Sequence, residues 1–219
     1  MIFINYKTYQ KGTGSDAVEL TKIVERVADS VHIKIIPVVQ SADIKEVVST
    51  TKLEVWTQKI DPFDFGAHTG AVLPEAVYED GAVGTFLNHS EIKVKTFEDL
   101  KNSVKRADEV GLKTLVFAGN LGELKKILKL KPTFVSYEPP ELVGSKTTSV
   151  AKAKPEIISK AVEIAKEKGT PLVVGAGIKS ARDVRKSIEL GCVGVAVASD
   201  VVASNNPEKE LLDLVRGLN

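Results

Sequence analysis

Short apolar runs alternate along the chain with longer stretches in which apolar residues recur every three or four positions. The short runs suit buried strands, and the longer period suits helices lying on them. The predicted strands are IFIN (2–5), KIIPVV (34–39), LEVWTQ (53–58), AVGTFL (82–87), KTLVFA (113–118), TFVSYE (133–138), PLVVGA (171–176) and VGVAVAS (193–199). Helices are predicted near 16–30, 42–50, 74–80, 97–110, 121–129, 155–168, 180–190 and 207–217. Thr96 and Ser180 stand as N-caps, each with an aspartate three positions on, Asp99 and Asp183,. Gly111, Gly169 and Gly191 fall where helices should stop,. Pro155 and Pro207 stand at or near helix starts,.

Eight strands, each followed by a helix, predict parallel pairing through right-handed crossovers. A closed (β/α)8 barrel and an open doubly wound sheet both fit that order. The repeat is short and even over the 219 residues, and no composition shift marks a boundary. A dinucleotide fingerprint after the first strand is missing. These features favour one barrel domain over residues 1–219, with shortened helices and loops.

Composition narrows the function. At 43% hydrophobic and 27% charged, the chain can bury one sizeable core,. A net charge of +1 provides no basic field for nucleic acid or an acidic membrane, so any anion must be held locally,. Cys192 stands alone, which excludes an internal disulfide framework and a cysteine-cluster metal site; its apolar setting predicts a buried small hydrophobe,. No apolar stretch approaches the roughly 20 residues of a membrane span. MIFINYK is too short and carries no basic leader for a signal peptide,. The expectation is a cytoplasmic protein.

In parallel barrels the chemistry gathers at the C-terminal ends of the strands. Here those ends read NYK, TQ, NHSE, AGN, YEPPE, GAGI and ASD. Asn5 and Lys7 are two apart, so an extended segment puts them on one face; a lysine in a barrel mouth wants an anion. The plain alternative is a Lys7 that has left the barrel for solvent. His89 is the histidine best placed for the mouth. If SEIK begins a helical turn, its positive end keeps the ring neutral and able to polarise a carbonyl; the alternative is a structural histidine. GAGI (175–178) and VASD (197–200) bring small residues to the usual phosphate position, although a lone GxG is more often a plain turn. Glu138, mounted before Pro139 and Pro140, is a candidate general base, or else a solvated strand-end carboxylate,. Taken together, these groups suit proton abstraction beside a carbonyl in a small phosphorylated substrate.

NYK, NHSE, YEPPE with its glycine loop, GAGI and the terminal VAS resemble triosephosphate isomerase, in its short archaeal form. The resemblance runs from Ile2 to Leu218, with GAHTGAVLPEAV (66–77) and AKAKPE (151–156) adding to it. It implies a TIM barrel without metal or organic cofactor, acting on a small phosphorylated triose. That family pairs a glutamate base with a neutral histidine electrophile, a pairing carried over with the resemblance. It implies Glu138 as base, His89 as electrophile, and Lys7 and Asn5 as electrostatic stabilisers, with Glu91 holding the lysine. It also implies that Gly144, Gly177, Ala198 and Ser199 offer N–H groups to the phosphate, with Tyr6 and Val143 beside the ligand. Thr69 would reach in from a neighbouring subunit, giving a homodimer, with a homotetramer the other possibility. Nucleic acid and membrane are not expected partners.

Three features depart from the family's pattern. The lid tip reads Gly144–Ser145–Lys146 rather than glycine–threonine–glycine, Ala118 replaces a cysteine or similar residue, and Ile92 replaces an arginine. The last change should remove an ion pair behind the site. A Schiff-base aldolase wants a lysine in the sixth strand, and TFVSYE has none. A binding-only barrel would lack one of Lys7, His89 and Glu138; all three are present.

Overall fold

Each strand pairs in parallel with the next in a computed structural model that describes residues 1–139 and 155–218. The order is β1 (Ile2–Asn5), β2 (Ile35–Val39), β3 (Trp56–Thr57), β4 (Gly84–Leu87), β5 (Lys113–Ala118), β6 (Phe134–Tyr137), β7 (Leu172–Val174) and β8 (Gly194–Val197). β8 pairs in turn with β1, Val195 opposite Ile2, and the sheet closes. Closure rules out the open doubly wound layout.

Parallel neighbours need crossovers, and helices supply them. Among the described residues these are α1 (Gly14–Val31), α2 (Ile44–Thr50), α3 (Pro74–Glu79), α4 (Phe97–Val110), α5 (Leu121–Ile127), α6 (Pro155–Glu167), α7 (Ala181–Glu189), α8 (Ser199–Val202) and α9 (Pro207–Val215). The expected trimming is seen in α2, α3 and α5, which have 7, 6 and 7 residues. Thr96 and Ser180 cap as predicted, accepting from the N–H groups of Asp99 and Asp183. Asn120 and Asn206 cap α5 and α9 in the same way and escaped the sequence reading. Gly111 ends α4 at φ +88°, a left-handed position that glycine adopts at no steric cost,.

The third strand is shorter than predicted. LEVWTQ pairs only at Trp56 and Thr57, although Val55 is also buried. Its flanking residues each make one bond to a neighbouring strand, Val83 N–H to Val55 O at 2.8 Å and Gln58 N–H to Val39 O at 3.1 Å, so the regular ladder is short although hydrogen bonding extends past it.

Two apolar layers result. The outer one lies between strands and helices and contains Cys192, whose thiol burial pushes up to about 12. The inner one fills the barrel with Phe3, Ile36, Val38, Trp56, Phe86, Leu115, Phe117 and Val173. Phe3 meets Trp56 edge-on at 5.1 Å and 72°. The indole fits because Gly84 faces it on the next strand: a Cβ there would stand 2.5 Å from the ring. Gly84→Ala should therefore overpack the interior at a cost of about 1–3 kcal/mol. Thermal unfolding followed by the fluorescence of Trp56, the sole tryptophan, checks this, with a lower midpoint expected.

Candidate active site

Alternation along each strand decides which side chains reach the mouth. Phe3 points inward, so Asn5, two residues on, stands at the rim and is buried. Tyr6 must face the other way. Its ring is packed in the outer layer and its hydroxyl hydrogen-bonds Thr21 Oγ1 at 3.0 Å. This corrects the placement of the Tyr6 side chain beside the ligand.

Lys7 does not continue the extended chain. Its φ is +49°, a left-handed value that costs about 1–2 kcal/mol for a residue with a Cβ. Two bonds hold it there: its N–H donates to Asn5 Oδ1 at 3.0 Å, and its carbonyl accepts from Gln58 Nε2 at 2.8 Å. The Lys7 side chain still lines the mouth, and its Nζ meets Glu91 Oε1 at 2.6 Å. Gln58 escaped the sequence reading; its only signal was a polar residue at the end of the third strand.

His89 follows β4 and is 7% exposed. SEIK forms one hydrogen-bonded turn, Ile92 N–H to His89 O at 2.9 Å, rather than a helix. Neutrality therefore has a different origin from the expected helix end. Burial pushes the imidazole pKa down to about 4; Glu91 opposes this, and Lys7 and Lys93 add to it. The N–H of Glu91 points at Nδ1 at 3.2 Å, so Nδ1 is the acceptor and the ring proton sits on Nε2,.

Glu138 extends the β5–β6 ladder by one bond, its N–H donating to Ala118 O at 2.9 Å. Like Phe134 and Ser136 before it, it faces inward. Its carboxylate lies over Gly175, where a Cβ would overlap Oε1, so only glycine leaves the space. The Ala176 N–H bonds to the same carboxylate. Oε2 is buried without a hydrogen bond among the described residues, and His89 Nε2 stands 3.4 Å from it. Burial raises the pKa to about 7; Lys7 pulls against it, Glu91 reinforces it, and the Ala176 N–H and Lys93 pull against it more weakly.

The opposite wall of the mouth comes from β7 and β8. Gly177, Ala198 and Ser199 line it, with Gly177 at φ +72° and Ser199 opening the short α8. Asp200 also lines the wall, and Lys179 faces it at 3.8 Å; sequence reasoning assigned neither to the site. Val143, Gly144 and the lid tip Gly144–Ser145–Lys146 lie outside the described residues. Among the described residues no group of His, Cys, Asp and Glu could hold a metal ion.

Two further expectations concern the surroundings. Ile92 is exposed, but an ion pair behind the site persists one position along, Lys93 Nζ to Glu123 Oε1 at 2.8 Å. Thr69 sits in a run, 63–70, that is exposed throughout, with Phe65 at 74%. Arg106 ties the base of this loop to Glu75 and Asp64.

The arrangement is a buried carboxylate of near-neutral pKa facing a neutral imidazole N–H, beside a lysine and a wall of small residues that ends at Asp200. Comparison with known proteins points to one family. A family model described as triosephosphate isomerase matches residues 1–217. A triosephosphate isomerase of Methanobacterium bryantii is 42% identical over 98% of this chain and 95% of its own length. One of Sulfurisphaera tokodaii is 40% identical over 98% and 93%. The crystal structure of triosephosphate isomerase from Bartonella henselae superposes with a TM-score of 0.74 over 99% of this chain and 96% of that one. At 15% identity it speaks for the fold alone.

The Glu138 shift carries a stability consequence with a definite sign. Its folded pKa, about 7, lies above the ordinary 4.5, so its contribution is present below pH 4.5 and lost as pH rises through 7. Glu138→Gln, which does not titrate, should be more stable than the parent at pH 8 by up to about 3 kcal/mol. The difference should vanish near pH 4; thermal melts across that range measure it.

Proposed function

The chain belongs to the triosephosphate isomerase family, and on that premise we propose how its residues interconvert dihydroxyacetone phosphate and D-glyceraldehyde 3-phosphate. The observation that carries the assignment of roles is the buried Glu138 carboxylate 3.4 Å from His89 Nε2. Glu138 takes a proton from the carbon next to the carbonyl, and the electron pair moves onto the carbonyl oxygen. His89 donates its Nε2 proton to that oxygen, then moves protons between the two enediolate oxygens. Glu138 returns its proton to the neighbouring carbon, which completes the isomerisation: one carbon is oxidised as its neighbour is reduced, with no net redox change.

Each group suits its step. A base near pKa 7 is ionised at neutral pH yet strong enough to accept a carbon-bound proton,. The lowered pKa keeps the ring from starting as imidazolium, so the donor is the neutral imidazole; giving up its Nε2 proton leaves an imidazolate, which is restored when it takes the proton of the neighbouring enediol oxygen. The Lys7 cation, held by Glu91, offsets the negative charge that develops,, and Asn5 keeps Lys7 in its bent path. Gly177, Ala198 and Ser199 receive the phosphate, and by resemblance Gly144 and Val143 complete that contact.

The exposed loop around Thr69 supports an oligomer in which one copy's loop reaches its neighbour's Asn5 and Lys7. A homodimer is proposed, with a homotetramer as the alternative. A cytoplasmic site of action goes with the glycolytic and gluconeogenic chemistry of the family; among the described residues no helix is long and apolar enough to cross a membrane.

A coupled assay with glycerol-3-phosphate dehydrogenase tests the base. Glu138→Gln should lower turnover by at least ~10²–10⁴, and near-parental turnover would overturn the role. The pH profile of kcat/KM should fall below about pH 7 as Glu138 takes up its proton,. Light scattering should return at least twice the 23.6 kDa chain mass; a fully active monomer would rule out the contribution of Thr69.

A further inference from the structure

His89 is preceded by a residue in the left-handed region, Asn88 at φ +60°. Asparagine tolerates this conformation better than most residues that carry a Cβ. Its buried side chain is fully used. The amide nitrogen donates to Phe117 O at 2.8 Å and to Glu123 Oε1 at 2.8 Å, while Oδ1 accepts from the Val94 N–H at 3.3 Å. One side chain thus joins the end of β5, the first turn of α5 and the far end of its own loop.

The second anchor is Glu123. Its carboxylate accepts from the Gly119 N–H at 2.7 Å and from Lys93 Nζ at 2.8 Å as well as from Asn88. Burial alone would raise its pKa, but Lys93, Gly119 and Asn88 outweigh that, and the group is held below the ordinary range as a carboxylate. The segment from 88 to 94 is therefore tied at both ends to one anion. Between the ties lie His89 and the turn whose Glu91 N–H meets Nδ1. Neither Asn88 nor Glu123 lines the mouth.

We infer that the Asn88–Glu123 clamp is a positioning device for His89. It holds the loop so that the Glu91 N–H occupies Nδ1, which keeps the ring proton on Nε2 and aims it at the reacting oxygens. The clamp rests on the reading of His89 as electrophile, and it acts through that residue without touching substrate.

Asn88→Gly separates the clamp from the backbone path, because glycine takes φ +60° freely while all three side-chain bonds are lost. In the coupled assay its kcat should fall about ten- to a hundredfold, as misplacement of a reacting group by around 1 Å does. Its KM should stay within about twofold, because the phosphate wall is built from other strands. The ¹⁵N side-chain resonances of His89 should move from the single Nε2–H tautomer toward a mixture, a change that loss of stability alone does not produce. Parent-like kcat with unchanged His89 resonances would overturn the clamp. Should Asn88→Gly fail to fold, Glu123→Gln, which removes the shared anion, is judged by the same two readouts. His89→Gln run alongside keeps the two readings apart: parent-like turnover there defeats the electrophile role, whereas a crippled His89→Gln beside a parent-like Asn88→Gly defeats only the clamp.

Discussion

The pairing of β8 with β1 is the contact on which the site depends. Once the sheet closes, the inward side chains of every strand converge on one axis, and each inward row ends at the same rim. Asn5, Glu138 and Ala198 each stand two residues beyond an inward residue, Phe3, Ser136 and Ala196. In an open sheet those positions would be strung along an edge. Closure also forces the interior to be filled, and Phe3, Trp56, Phe86 and Phe117 fill it. Phe86 and Phe117 then form an apolar floor beneath the mouth.

That floor sets the electrostatics. Removing water disfavours whichever form is charged, so the same burial raises the pKa of Glu138 and lowers that of His89,. The base is thereby made stronger and the imidazole kept neutral without any dedicated charge for either purpose. Lys7 tempers the first shift and deepens the second. Glu91 serves both partners, its carboxylate receiving Lys7 and its N–H meeting His89 Nδ1. Two left-handed residues, Lys7 and Asn88, place these groups, and each is restrained by side-chain hydrogen bonds to other strands or helices.

Much of this was legible in the chain. The strand and helix periods locate nearly every element, because burial on one face imposes its spacing on the sequence. Glu138 and His89 could be found as polar residues closing apolar runs, once the barrel made strand ends the place to look. Caps were legible where a hydroxyl stood before an aspartate, and missed at Asn120 and Asn206, whose turns carry no such pair. The side of the sheet on which Tyr6 falls followed from strict alternation beyond Asn5, but its neighbours in the motif obscured it. Ile92 led to the expectation of a lost ion pair behind the site; the neighbouring Lys93 pairs with Glu123 of α5, a contact that depends on tertiary placement and leaves no spacing signal in the chain.

The sequence by itself determined the order of elements, the closed architecture as the favoured layout, and the residue types at the strand ends, since these depend on local spacing and on the polarity of each position. Tertiary structure alone decided the left-handed path at Lys7, the hold of Gln58 upon it, the tautomer of His89 and the space that Gly175 leaves for the Glu138 carboxylate. Those features arise between residues far apart in the chain, where hydrogen-bond direction and excluded volume depend on three-dimensional placement and leave no periodic trace along the sequence.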